Sequence, residues 1–193
     1  MNAFLAYLKN YISLTPAEES ILAEKLKHRK YLKGQYIVQE GDICRYQTFV
    51  AKGKTRTFYL DEQGKEHIVM FGIENWWTGD LGSFITQKPA DFNVQCLSNT
   101  EVIQISYQNT EQLYKDIPKI ERFFRILIQN AYVNTQKRIV RNYSLSARER
   151  YILFCEEHPE IVQRVPQYMI ASYLGITREF LSHIRKQIAN QKS

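Results

Sequence analysis

The chain has 193 residues, of which 44% are hydrophobic and 24% charged, a composition typical of folded globular proteins rather than disordered or fibrous ones. No stretch approaches the roughly 20 apolar residues that a membrane-spanning helix needs. The first ten residues lack the basic start and apolar run of a secretion signal. We therefore expect a cytoplasmic protein that has no membrane as partner.

The net charge of +6 is concentrated in the last third of the chain. Residues 1–134 contain 16 basic and 15 acidic side chains, whereas residues 135–193 contain 10 and 5. A cationic segment on a nearly neutral body favours a polyanionic partner, because each neutralised phosphate releases condensed counterions. A basic surface that serves only solubility is the alternative on charge alone.

Cys44, Cys96 and Cys155 lie more than fifty residues apart, which is not the spacing of a metal or cluster site. Their odd number also argues against a disulfide framework. We expect buried or half-buried thiols and no bound metal. A thiol-based redox switch stays open.

The first predicted helix starts after Leu14. Thr15 can cap it, Pro16 fits the first helical position, and Glu18 can complete a capping box with Thr15. A short amphipathic helix should then run to about Lys27.

From Tyr31 to Tyr107, short runs of β-branched and aromatic residues alternate with glycine-containing turns. Many short strands at regular spacing indicate a sandwich or barrel. Residues 54–60 and 66–71 flank a Gln63-Gly64 turn and predict a hairpin. We interpret His67 in this hairpin as a strand residue, because no second ligand shares a metal-like spacing with it.

A long helix is predicted from Lys119 to about Tyr143, opened by Pro118. Apolar or small residues recur along it at three- and four-residue steps, which predicts a seam with the same helix of a second subunit. The seam consists of Ile120, Phe124, Leu127, Ala131, Thr135 and Ile139. A wider apolar face, including Phe123, suggests packing on the protomer's own barrel as well. Core packing in a monomer is the alternative.

Residues 165–186 carry the most specific pattern, which reads as helix, tight turn, helix. Gly175 allows a left-handed turn, and Thr177 can cap the second helix. The predicted buried side of the two helices consists of Ile170, Ala171, Leu174, Phe180, Leu181 and Ile184.

The polar side of this motif suits DNA, because the first residues of the second helix meet base edges in the major groove. Arg178 can donate two hydrogen bonds to guanine, and Glu179 can accept one from cytosine. The predicted DNA-binding residues, including phosphate contacts, are Gln167, Thr177, Arg178, Glu179, Ser182, His183, Arg185 and Lys186.

Four motifs in order resemble the Crp/Fnr family of bacterial transcription regulators. Residues 32–42 resemble the first barrel hairpin, 49–53 the next strand and glycine turn, 76–84 the phosphate-binding cassette, and 177–182 the recognition helix. The resemblance implies an α+β fold. Its parts are an N-terminal double-stranded β-helix or jelly-roll barrel (1–117), a dimerisation helix (118–143) and a C-terminal helix-turn-helix (144–193). Only Ala189–Ser193 should follow the recognition helix, so a reduced winged helix is expected.

The resemblance also implies an effector site. Gly79, Asp80, Leu81 and Gly82 would form the phosphate cradle, and Thr135 stands at the family's base-contacting position. Ala90 and Asp91 occupy the places of the family's Arg-Ser pair. Burying a phosphate without its arginine, beside an added carboxylate, is costly. Cyclic AMP is therefore not expected, no cofactor is implied, and the small-molecule effector is unknown.

The resemblance thus implies a homodimeric, sequence-specific regulator of transcription that binds a pseudo-palindromic site in double-stranded DNA. RNA polymerase is a further candidate partner. The alternative is a ligand-sensing module of the cyclic-nucleotide type whose C-terminal helices bind a protein. An enzyme is not expected, because the chain offers no arrangement of nucleophile, base and orienting residue.

Overall fold

A computed structural model describes residues 2–190 of the chain. The helices are α1 (Asn2–Leu8), α2 (Pro16–Lys25), α3 (Leu81–Thr86), α4 (Tyr107–Asp116), α5 (Pro118–Ser144), α6 (Ala147–Glu157), α7 (Pro159–Arg164), α8 (Gln167–Tyr173) and α9 (Arg178–Asn190). The strands are β1 (Lys27–Tyr31), β2 (Tyr36–Val38), β3 (Tyr46–Lys52), β4 (Thr55–Leu60), β5 (Glu66–Gly72), β6 (Trp77–Thr78), β7 (Asn93–Cys96) and β8 (Thr100–Ser106).

The strands form two four-stranded sheets, in the orders β1-β8-β3-β6 and β2-β7-β4-β5. The pairs β1–β8, β3–β8, β3–β6, β2–β7 and β4–β7 are antiparallel. Phe49 of β3, for example, lies opposite Ile103 of β8 and Trp77 of β6. The predicted jelly-roll barrel is confirmed. It begins at Lys27, four positions before the predicted start at Tyr31.

Local signals set the ends of α2. The Thr15 hydroxyl accepts from the Glu18 amide at 3.3 Å, and the Glu18 carboxylate accepts from the Thr15 amide at 2.7 Å. The predicted capping box is therefore confirmed. The helix ends at Lys25 rather than about Lys27, because Lys27 already pairs with Gln104 in the sheet.

An aromatic cluster forms the centre of the barrel core. The Trp77 ring lies 5.7 Å from Phe4 of α1, 5.6 Å from Phe49 and 5.0 Å from Phe124 of α5, measured between centroids. Phe123 of α5 is fully buried in the same core. The cluster therefore joins α1, which precedes the strands in the sequence, and α5, which follows them, to the sheet of β3 and β6.

This core changes the assignment of the predicted dimer seam. Ile120 and Phe124 are only 1% and 4% exposed, and both pack inside the protomer's own barrel core. They are not available to a second subunit. Leu127 is half-buried against the same core, whereas Ala131, Thr135 and Ile139 are exposed.

The chain divides into two compact units. The barrel unit comprises the chain up to Tyr59 together with Met70–Asn130. The C-terminal unit comprises Leu60–Val69 and the chain from Ala131 onward. The boundary thus falls within α5, and the tip of the predicted β4–β5 hairpin, which is confirmed, belongs to the C-terminal unit.

Replacing Phe123 with Ala should lower the free energy of unfolding by about 3–5 kcal/mol, because the change leaves a cavity in the aromatic cluster. Urea titration followed by tryptophan fluorescence measures it. The control is Leu32→Ala, at a side chain 64% exposed, which should change stability by no more than about 0.5 kcal/mol. Equal stabilities for the two variants would contradict the assignment of Phe123 to the core.

Candidate nucleic-acid interface and effector cradle

The turn between α8 and α9 is built around Gly175. The Ile176 amide donates to the Ala171 carbonyl at 3.0 Å, and the Gly175 amide donates to the Ser172 carbonyl at 3.1 Å. These two bonds form a Schellman motif, which places one residue in the left-handed region. Gly175 has φ of +69°, so the predicted glycine turn is confirmed.

The start of α9 is capped by Thr177, whose hydroxyl accepts from the Phe180 amide at 3.1 Å. Leu181 and Ile184 are buried as predicted. Phe180 is 49% exposed, so its assignment to the buried side is wrong; it lies at the edge of the apolar face. The helix also includes Ala189 and Asn190, which we expected to follow it. Residues 191–193, the rest of that segment, lie outside the described chain.

The side chains of Ser172 and Arg138 connect α8 and α5 to residues 66–69 within the C-terminal unit. The Ser172 hydroxyl accepts from the Ile68 amide and donates to the Glu66 carbonyl, both at 3.1 Å. The Arg138 guanidinium donates to the Val69 carbonyl at 2.6 Å and lies 5.3 Å from the ring centre of Tyr173. We call these contacts of Ser172 and Arg138 with residues 66–69 the hairpin latch.

Arg150 connects the end of α5 to the helix-turn-helix. Its guanidinium donates to the carbonyls of Leu145 at 3.0 Å, Leu174 at 3.3 Å and Asn142 at 3.4 Å. Three carbonyl groups at the ends of helices thus find a charged donor, which satisfies acceptors left over by helix termination. Sequence reasoning identified neither Arg150 nor the hairpin latch, since their partners are set by the tertiary fold.

The predicted effector cradle is organised by the carboxylate of Asp80. One oxygen accepts from the Ser83 amide at 2.9 Å and caps α3. The other accepts from the amides of Asp91 at 2.9 Å and Phe92 at 3.2 Å. The Asp80 side chain is buried at 4% exposure, so an internal anion already uses three backbone donors of the cradle.

The rest of the cradle is closed by internal hydrogen bonds as well. Ala90 is buried, its amide donates to the Asp42 carbonyl, and its carbonyl accepts from the Gly41 amide. The Ser83 hydroxyl accepts from the Cys44 amide at 2.9 Å and donates to the Lys88 carbonyl at 2.5 Å.

The other predicted effector residues differ in their surroundings. Leu81 and Asp91 are exposed, and Gly79 has φ of +149°. A Cβ added to Gly82 would lie 3.4 Å from Asp80 Oδ1. Thr135 belongs to the C-terminal unit, where its hydroxyl donates to the Ala131 carbonyl at 2.9 Å, and it takes no part in the hydrogen bonds of Asp80.

The comparisons with known proteins agree with this architecture. The cyclic nucleotide-binding domain family matches residues 28–116. The transcriptional activator protein anr of Pseudomonas aeruginosa is 25% identical over 144 residues, which cover 74% of this chain and 58% of that protein. The fumarate and nitrate reduction regulatory protein of Vibrio cholerae is 26% identical over 186 residues, covering 89% of this chain and 73% of that protein.

Among solved structures, the c-di-GMP responsive global regulator CLP of Xanthomonas campestris matches with a TM-score of 0.75 at 16% identity. The match covers 92% of this chain and 93% of that one. Residues 28–116 thus match the cyclic nucleotide-binding domain family, and the curated relatives of the chain are transcription regulators of the Crp/Fnr type.

Seven of the eight DNA-binding residues expected from the sequence lie on the exposed surface of α9 or at its cap: Thr177, Arg178, Glu179, Ser182, His183, Arg185 and Lys186. Within this group, the His183 ring nitrogen contacts the Gln187 amide at 2.9 Å. Gln167 differs, because it is half-buried at the start of α8 and its amide oxygen is buried without a hydrogen-bond partner. In this conformation that oxygen does not face a ligand outside the unit.

The cysteines and potential metal ligands of the described residues offer little further chemistry. Burial raises the pKa of the Cys44 and Cys96 thiols, which keeps both protonated and weakly nucleophilic at neutral pH. Residues 2–190 contain no group of three or more potential metal ligands. No helix within that range is long and apolar enough to cross a membrane.

Replacing Asp80 with Asn should destabilise the barrel by about 1–3 kcal/mol, because the amide nitrogen cannot accept hydrogen bonds from the backbone amides around it. Thermal unfolding and urea titration of the purified chain measure it. Asp91→Asn, at an exposed carboxylate in the same loop, is the matched control and should leave stability within about 0.5 kcal/mol. If both variants unfold like the unchanged chain, Asp80 does not hold the cradle together.

Proposed function

We propose that this chain is a homodimeric transcription regulator that binds a pseudo-palindromic site in double-stranded DNA through α9. The observation that carries the proposal is the exposed polar face of α9, presented by the Gly175 turn and the Thr177 cap. It belongs to the segment that holds the excess positive charge of the chain. A cytoplasmic location and an interaction with RNA polymerase are part of the same proposal.

The side chains of α9 divide into two chemical roles. Arg178 and Glu179 occupy the first turn, where a recognition helix reaches base edges, and they can bond guanine and cytosine respectively. Ser182, Arg185 and Lys186 follow one to two turns later and can hold phosphates. A protein partner for the C-terminal helices fits less well, because the exposed face carries three cationic side chains and one anionic side chain.

Replacing Arg178 with Ala should weaken binding to the specific site by about 1–3 kcal/mol and relax the base preference at one position of each half-site. The site is first selected from a randomised duplex pool, and affinities are then measured by fluorescence anisotropy at fixed salt. Lys115→Ala removes one charge from the exposed surface of α4 and serves as the control. Unchanged discrimination between matched and mutated sites in the Arg178 variant would sink its assigned role.

The dimer interface is proposed to lie on α5 from Ile128 onward. Exposed large apolar side chains occur along this part of the helix: Ile128, Tyr132, Val133, Ile139, Val140 and Tyr143. Contiguous exposed apolar surface of this kind marks an interaction site. Ile128, Ala131, Thr135 and Ile139 follow one another at three- and four-residue steps, so they form one face of the helix. The proposed seam therefore starts later than the one expected from sequence.

A two-fold axis along this face would present two copies of α9 to successive major grooves, about 34 Å apart. That spacing is the physical reason for expecting a pseudo-palindromic site. A monomer would make half of the phosphate contacts, and its affinity would fall accordingly.

Replacing Ile139 with Asp should weaken the dimer at least about 100-fold, equivalent to about 3 kcal/mol, because the carboxylate loses its water in the seam. Light scattering after size exclusion measures the mass, and anisotropy measures the accompanying loss of DNA affinity. Asn130→Asp adds the same charge nine residues earlier, about two and a half turns away and hence on the opposite side of α5. A dimer that persists in the Ile139 variant but dissociates in the control would refute the proposed seam.

The absence of control by cyclic AMP is part of the proposal. One observation and one inference from the resemblance support it. The Asp80 carboxylate already accepts from the amides of Asp91 and Phe92, and the resemblance aligns Ala90 with the family's arginine. A bound phosphate would have to displace a buried carboxylate and would meet no guanidinium at that place.

A further inference from the structure

The barrel unit contains a cavity whose lining does not include the residues of the Asp80 cradle. It has a volume of about 170 Å³ and lies among β1, β2, β3 and β8. Its polar lining residues are Arg29, Tyr31, Arg45, Tyr46, Thr48 and Gln104. We call it the arginine pocket.

The charge of the arginine pocket is positive and uncompensated. Two arginines, Arg29 and Arg45, line it, and no aspartate or glutamate does. Arg29 lies over the Tyr46 ring, 5.4 Å from its centre, and neither arginine forms an ion pair within residues 2–190. The neighbouring Lys30, by contrast, is paired with Glu101 at 3.2 Å. Two free guanidinium forks suit a phosphate or carboxylate.

Tyr31 offers a further donor to a ligand. It lines the pocket, and its hydroxyl accepts from the amide nitrogen of Gln104 at 3.4 Å. The same nitrogen donates to the Thr48 hydroxyl at 3.1 Å, and the Gln104 side chain is buried at 2% exposure. Because the Tyr31 hydroxyl acts as acceptor in this bond, its own proton can bond a ligand.

We propose that the arginine pocket binds a small phosphate monoester. The dianionic phosphate lies between Arg29 and Arg45, and the Tyr31 hydroxyl donates to one of its oxygens. A monoester carries a charge of about −1.5 to −2 at neutral pH, which two guanidinium groups match. The pocket is smaller than the 300–1,000 Å³ typical of sites for drug-sized ligands, so the ligand has few heavy atoms.

A second, more open cavity of about 400 Å³ shares Arg29 and Tyr31 with the pocket. A phosphate monoester with a longer chain can extend into this second cavity while its phosphate stays bound to the two arginines. This inference goes beyond the proposed function, and binding in the pocket does not depend on DNA recognition by α9.

The test uses the full chain and glycerol 3-phosphate as probe, titrated at constant ionic strength and followed by amide and side-chain NMR. Glycerol and inorganic phosphate are titrated in parallel to separate the two halves of the recognition. We expect saturable shifts of the Gln104 side-chain amide and of the Arg29 Nε group, with glycerol 3-phosphate binding more tightly than either fragment.

The double variant Arg29→Ala, Arg45→Ala should bind the probe at least about tenfold more weakly, because both charged donors are lost. Both positions are exposed, so the fold should persist. Arg122→Ala, at an exposed arginine of α5, is the matched control and should bind like the unchanged chain. Gln104→Glu keeps the shape of the side chain, yet its carboxylate should repel the probe, with thermal unfolding reporting whether the barrel stays folded.

Three results would overturn the proposal. The first is a titration that does not saturate by about 10 mM probe, which means an affinity weaker than that of simple metabolite sites. The second is equal binding by the double variant and the control, and the third is a set of NMR shifts confined to residues 79–92. A chain that binds the probe but no DNA would leave the pocket standing and remove the proposed function, so the two failures are distinguishable.

Discussion

The aromatic cluster around Trp77 is the constraint on which the rest of the molecule depends. It joins α1, the sheet of β3 and β6, and the first turns of α5 in one core. Because Phe123 and Phe124 are used there, the apolar surface of α5 is divided into a buried part and an exposed part. The exposed part begins at Ile128, and it is the surface that a second copy of the chain can cover.

The Asp80 carboxylate is a structural part of its own surroundings. It accepts from the amides of Ser83, Asp91 and Phe92, so these three donors are used within the chain. Two arginines line a cavity in a different part of the same unit, Arg29 of β1 and Arg45 just before β3.

The sequence predicted those features that neighbouring residues determine. The capping box of α2, the glycine turn at Gly175, the Thr177 cap and the β4–β5 hairpin each depend on residues within a few positions, and all are confirmed. The seven-residue helix α1 was not predicted, since so short a segment shows no helical period.

Contacts between distant residues had no signal of this kind. A seam of three- and four-residue steps does not say whether Phe124 meets its own barrel or a partner, and Ser172 lies 104 positions from Ile68.

The contact between Ser172 and Ile68 also has a bearing on solubility. β5 is the last strand of its sheet, and the Ser172 hydroxyl satisfies the Ile68 amide and the Glu66 carbonyl as a further strand would. An uncovered strand edge is a template for pairing between chains. The Ser172 hydroxyl thus occupies two backbone groups that a strand of another chain would need for pairing.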